Sequence, residues 1–169
     1  MIEPVRFPLE GVNQVGMVVR DLQSTMRHFH EQFNVGGWRL YTYKPPLVKE
    51  MTYRGKRQDY AMRIAITMVG PLMLELIQSL QGPNIYEEFL AAGHEGQHHL
   101  GIVVPEFGEG VRRFQALGYE LIQSGRGFGA DGSGGFAYFD TTAAVGTILE
   151  VIEFPKRRVP PEMVYPPEG

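Results

Sequence analysis

Two stretches decide the fold: Asn13–Val19, NQVGMVV, and His98–Val104, HHLGIVV. Both are short apolar runs with a glycine at the same place, and both read as strands. An acidic residue follows each, Asp21 and Glu106, and then apolar positions recur at helical spacing. These are Leu22, Met26, Phe29 and Phe33 in the first copy, and Phe107, Val111, Phe114 and Leu117 in the second. Glycine is expected to stop both helices, at Gly36 and Gly118. Further β-rich segments lead to a second matching pair of strands, Leu72–Ile77 (LMLELI) and Thr147–Ile152 (TILEVI). The unit is strand, helix, three strands, and the chain uses it twice.

The first βαβββ module is read over residues 11–80 and the second over residues 98–154. Residues 81–97 form a linker in which Asn84 and Glu87 have capping-box spacing ahead of Phe89 and Leu90, which predicts a short helix. Residues 155–169 carry five prolines and are read as a surface-hugging or disordered tail that cannot continue a sheet. At 169 residues, with 43% hydrophobic and 11% aromatic composition, residues 1–169 are expected to form a single α+β domain with one shared core.

Composition also removes function classes. A net charge of -3, from 16 Lys+Arg against 19 Asp+Glu, gives no global pull towards nucleic acid or an anionic membrane, so a small-molecule substrate is expected. Without cysteine there is no disulfide framework, no thiolate zinc site and no thiol nucleophile. Residues Met1–Leu9 lack the apolar run of a signal peptide and no window approaches a membrane span, so the expected location is the cytoplasm.

Strand alternation says where the side chains point. In the opening strands Gln14 shares a face with Gly16, and His99 shares one with Gly101, so each glycine leaves space beside a polar residue. In the closing strands Glu75 lies between Met73 and Ile77, and Glu150 between Ile148 and Ile152. A carboxylate in the middle of an apolar strand is costly unless it is paired, hydrogen-bonded or metal-bound. Two of them at repeat-related places ask for one explanation, and a divalent cation held by Gln14, Glu75, His99 and Glu150 supplies it. Four unrelated polar residues on solvated faces are the alternative.

The segments VNQVGMVVRDL (12–22), GHEGQHHLGIVV (93–104) and ILEVIEF (148–154) resemble the vicinal oxygen chelate superfamily, and within it most nearly the methylmalonyl-CoA epimerase branch. The likeness covers roughly residues 11–154. It implies a cup-shaped half-barrel sheet with helices on the outside, a homodimer, and two metal ligands from each repeat. It also implies proton transfer at the carbon next to a carbonyl, with Glu150 as the base and an acid on the opposite face, just before the third strand, for which Asp59 is the nearest match; a solvated turn acid beside Arg57 is the alternative reading of Asp59. The ligand order Gln, Glu, His, Glu is, however, similar to that of eukaryotic-type glyoxalase I. The implied function is a metal-dependent epimerase, isomerase or lyase using one Zn, Ni, Co or Mn ion on an acyl-CoA thioester or other carbonyl compound. A glyoxalase I-like lyase and a non-catalytic small-molecule binder of the same fold are the alternatives. A ring-cleaving dioxygenase fits less well, because only one histidine is well placed for iron.

Three further motifs carry other expectations. His94–His98 satisfies HExxH, but Gly93 and Gly96 break any helix there, so the pair is not a zinc motif and His98 is expected on the face opposite His99. Gly127–Gly132 satisfies GxGxxG but leads into a strand rather than a helix, and reads as a hairpin loop closing over the pocket. Arg54, Lys56 and Arg57 form a basic turn, read either as a solvated hairpin tip or as a phosphate contact for coenzyme A. Trp38, Tyr41, Tyr43 and Tyr53 have strand spacing and are expected in the core or the cup wall.

Overall fold

The computed structural model describes residues 6–167; Met1–Val5, Glu168 and Gly169 of the terminal segments read above lie outside the described residues. The first repeat opens with β1 (Gln14–Val18) and α1 (Leu22–Phe33), then runs through β2 (Trp38–Tyr43), β3 (Lys49–Tyr53), β4 (Lys56–Arg57), β5 (Ala61–Val69) and β6 (Leu72–Gln81). Helix α2 (Ile85–Ala91) links it to the second repeat: β7 (Gly96–Val103), α3 (Phe107–Ala116), β8 (Leu121–Arg126), β9 (Gly135–Phe139), the short α4 (Thr142–Val145) and β10 (Ile148–Glu153). The tail contributes β11 (Met163–Tyr165).

The strands form one mixed, cup-shaped sheet in the order β11-β2-β5-β6-β1-β7-β10-β9-β8-β3-β4. Its centre is symmetric. β1 and β7 pair antiparallel where the repeats meet, β6 runs parallel to β1, and β10 runs parallel to β7. The opening and closing strands of both repeats are therefore the four central strands, and the polar residues they carry meet in the middle.

Helix α1 buries Leu22 and Met26 against Trp38, Leu40, Ala65 and Leu76 on one face of the sheet. Helix α3 buries Phe107 and Phe114 against Ile102, Ala137, Phe139 and Val151. Asp21 caps α1 by accepting from the Ser24 amide, and Glu106 caps α3 by accepting from the Gly108 and Glu109 amides, so the acidic residue after each opening strand is the helix start signal. The larger inner cluster gathers Tyr41, Tyr43, Met51, Tyr60, Ile64, Ile77, Phe128, Phe136 and Tyr138.

The structure departs from the sequence reading in four places. Helix α1 ends not at Gly36 but at Asn34, which itself takes the left-handed conformation (φ 54). Helix α2, read only as a linker, packs its Ile85 and Tyr86 into the inner cluster. The first repeat carries an additional hairpin: β3 leaves its own repeat and pairs with β8 of the other, with β4 as the outermost strand. The tail does continue the sheet, because β11 pairs antiparallel with β2; its prolines flank this edge strand instead of interrupting it.

Candidate metal centre

Register brings four side chains to one point. One row across the centre reads Glu75 on β6, Gly16 on β1 and His99 on β7; the other reads Gln14 on β1, Gly101 on β7 and Glu150 on β10. Each glycine thus lies between two of the candidate ligands. A methyl group on Gly16 would fall 1.9 Å from His99 Cε1, and one on Gly101 would fall 2.9 Å from Gln14 Cβ and 3.4 Å from Glu150 Oε2. The side chains occupy the volume the glycines leave open.

Gln14 Nε2 donates to Glu75 Oε2 at 2.7 Å and to Glu150 Oε2 at 3.3 Å. His99 Nε2 lies 3.2 Å from Glu150 Oε2 and 3.6 Å from Glu75 Oε2. Neither contact has hydrogen-bond geometry, so this fully buried nitrogen is left without a hydrogen-bond partner. One ligand atom from each of Glu75, His99 and Glu150 falls within 4.8 Å of the others. Burial pushes the Glu75 carboxyl above its usual range, and the charge of Glu150 adds to that against the pull of His99. For His99, burial works downward, but Glu150 and then Glu75 outweigh it and hold the imidazole at about 9.

Two buried carboxylates and an aimed, unpartnered imidazole nitrogen form a donor set that a divalent cation satisfies in charge and in ligand type. Gln14 now offers its amide nitrogen to the carboxylates, and the same carboxamide carries an oxygen donor. The donor set therefore fits the expected metal.

Behind His99 the strand alternation fails. His99 pairs with Gly16 while Gln97 pairs with the very next residue, Met17, so His98 is the extra residue of a β-bulge. Its ring does not point to the opposite face. It is buried against Tyr86, Phe89 and Tyr138, and His98 Nδ1 sits 3.0 Å from His99 Nδ1. Burial, and then the neighbouring His99, lower the His98 value to about 3. A neutral His98 ring accepting from His99 Nδ1–H leaves His99 Nε2 turned to the carboxylates, where it holds a proton that a cation would displace.

The cavity above the cluster is walled by Tyr43, Met62, Ile64, Phe128, Phe136 and Ile152. Phe128 comes from the Gly127–Gly132 loop between β8 and β9 and stacks on Tyr43 at 5.2 Å. Asp59 is not brought here. It is exposed and borders a separate depression with Lys44, Gln58 and Gln81, because alternation turns its neighbour Tyr60 inward, where the phenol donates to the Ser124 carbonyl at 2.9 Å. The basic turn is also elsewhere: Arg54 is held by Glu88, and none of Arg54, Lys56 and Arg57 borders the cavity. His94 packs on Phe89 and takes no part in the cluster.

One cavity residue escaped the sequence reading. Arg158, from the proline-rich tail, borders the cavity together with Gln14, Glu75 and Glu150. The available signal was the run Lys156-Arg157-Arg158 directly behind the strand that carries Glu150.

Fold and cluster together define a tandem βαβββ protein with a candidate metal site where its repeats meet. Residues 13–139 match the model of the glyoxalase/bleomycin resistance protein/dioxygenase superfamily, the vicinal oxygen chelate superfamily, and the chain belongs to it. Among solved structures, methylmalonyl-CoA epimerase from Mycobacterium tuberculosis is similar at 19% identity and TM-score 0.62, over 87% of this chain and 89% of that one. A hypothetical protein from Bacillus halodurans C-125 is similar at 18% identity and TM-score 0.60, over 88% and 97%. A point variant of Streptomyces coelicolor methylmalonyl-CoA epimerase, in complex with 2-nitronate-propionyl-CoA, is similar at 13% identity and TM-score 0.58, over 90% and 100%. At these identities the likeness concerns the fold. No curated protein matches the chain. No helix among the described residues is long and apolar enough to cross a membrane.

Proposed function

We propose that this protein is a metal-dependent isomerase, epimerase or lyase that moves a proton at the carbon next to a carbonyl. The observation that carries this reading is the convergence of Glu75, Glu150 and the unpartnered His99 Nε2 at the floor of an apolar cup. Gln14, Glu75, His99 and Glu150 would hold the ion. A bound divalent ion supplies Lewis acidity for the substrate oxygens and for the enolate that forms on proton loss.

The chain's own groups supply the rest. Glu150, buried and bordering the cavity, takes the proton and returns it. Glu75, its repeat-related counterpart, stands across the cluster and also borders the cavity, which places it for the second face, so two-faced proton transfer needs no part for Asp59. The apolar wall excludes water from the carbanion-like intermediate. Both the methylmalonyl-CoA epimerase-like and the glyoxalase I-like reactions share this step.

Elemental analysis comes first: protein purified without chelators should hold about one divalent ion per chain, and the Glu75→Ala/Glu150→Ala variant should hold none. Solvent-deuterium exchange into 2-methyl-branched acyl thioesters and into hemithioacetals then reads the chemistry. Glu150→Gln is expected to slow exchange by ~10²–10⁴-fold while substrate still binds. Protein that takes up neither Zn, Ni, Co nor Mn would mark the cup as that of a small-molecule binder.

A further inference from the structure

Arg158 stands where two spaces meet. Towards the cluster it borders an inner cavity of about 30 Å³, shared with Gln14, Glu75 and Glu150. On its other side it borders an outer groove of about 270 Å³, shared with Arg39, Thr67 and Pro161. Ile66 and Met73 also border both, so the groove and the cavity lie on either side of the same three side chains. The inner space holds only ~2 water-sized groups. A reacting head group enters it, and the remainder of any larger ligand must lie beside Arg158.

The guanidinium rests on one aromatic ring, and the backbone behind it is pinned. Its carbon lies 5.1 Å from the Phe154 ring centroid, within cation–π range. The backbone of Arg158 bridges to Gly129, and the carbonyl of Arg157 accepts from the Ala130 amide at 2.8 Å. Yet among the described residues Arg158 makes no salt bridge. Among those residues it is also the one cationic side chain bordering the inner cavity. Glu75 and Glu150 together balance a divalent ion, which leaves Arg158 as a fixed positive charge against an apolar wall. A planar five-donor fork in that setting matches a carboxylate in shape and in charge.

We propose that Arg158 is the substrate-recognition residue of this site, and that the substrate is a small carbonyl compound bearing a carboxylate separate from the oxygens that face the metal. The inference rests on the metal-dependent reading above and deepens it. Selection falls to the tail, not to the basic turn at Arg54, and the outer groove takes whatever the substrate carries beyond the carboxylate.

The probes are 2-oxoglutarate and 2-oxoadipate, each beside its distal monomethyl ester, which keeps the oxygen pair of the 2-oxo acid and removes the second carboxylate. Dissociation constants are measured by calorimetry on protein of known metal content and unfolding temperature. Wild type is expected to bind at least one diacid at least about tenfold more tightly than its ester. Arg158→Gln should bring the pair to within about twofold at unchanged metal content, and Arg158→Lys should keep part of the preference. The assignment is overturned if wild type treats acid and ester alike, if Arg158→Gln keeps the preference, or if Arg158→Gln weakens both ligands equally. Protein that takes up no metal but discriminates through Arg158 sinks the metal-dependent reading alone; protein that binds metal but does not discriminate sinks the Arg158 assignment alone.

Discussion

Gly16 and Gly101 belong to the candidate site as much as the side chains they separate. A Cβ on Gly16 would overlap the His99 ring outright, so Gly16→Ala must drive the imidazole out of the cluster. We expect this variant to lose at least tenfold in metal affinity and about 1–3 kcal/mol in stability, read by metal titration and by thermal unfolding. A Gly16→Ala protein with wild-type affinity would show that His99 is not a ligand. His98 is tested separately. His98→Phe keeps the contacts with Tyr86, Phe89 and Tyr138 but removes the partner of His99 Nδ1, and should cost ~10–100-fold in metal affinity with little loss of stability. Unchanged affinity would mean that the bulge serves only the core. The four polar positions and both glycines were legible from alternation and repeat alone. His98 was not, because a bulge inserts a residue and alternation cannot be counted across it.

At the scale of elements, the additions to the repeat are what the sequence hid. Strand β3 pairs with β8, whose sequence neighbours lie in the other half of the chain, and nothing local to Lys49–Tyr53 encodes that choice. The crossing hairpin is tied to the linking helix: Arg54 Nη2 contacts Glu88 Oε2 at 2.5 Å, and the Tyr53 phenol donates to the same carboxylate. The Arg54 hydrogen bond holds the Glu88 carboxyl below its usual range. Folded Glu88 therefore binds a proton less readily than unfolded Glu88, and the pair stabilises above the ordinary carboxylate range and fades as pH falls through it. The side chains are 41% and 38% exposed, so screening limits the gain. Glu88→Gln should cost less than about 1 kcal/mol near neutral pH, read by denaturant unfolding, and its difference from wild type should close in acid. A cost that persists there would point to packing and not to charge. The tail was misread for a related reason: composition warned of prolines, but the free edge of β2 that β11 covers exists only once the sheet is assembled.

For the molecule as a whole, the pairing of β1 with β7 joins the repeats, and it puts Gln14 and Glu75 from one half against His99 and Glu150 from the other. Repetition made that legible, since equivalent strands must meet at an axis. It left open whether the two halves of one site come from one chain or two. Here all four residues come from a single chain, which makes a prediction about mixing. Glu75→Ala lacks a ligand from the first repeat and Glu150→Ala one from the second. If sites were shared between chains, unfolding and refolding the two variants together would restore intact sites in mixed assemblies. With each site contained in one chain, every site in the mixture keeps a single lesion, and metal content should stay at the level of the separate variants. The wild-type ratio of metal to chain should likewise hold on dilution, since no subunit contact is needed to complete the cluster. Recovery of metal content on mixing would show that strands or whole repeats exchange between chains in solution.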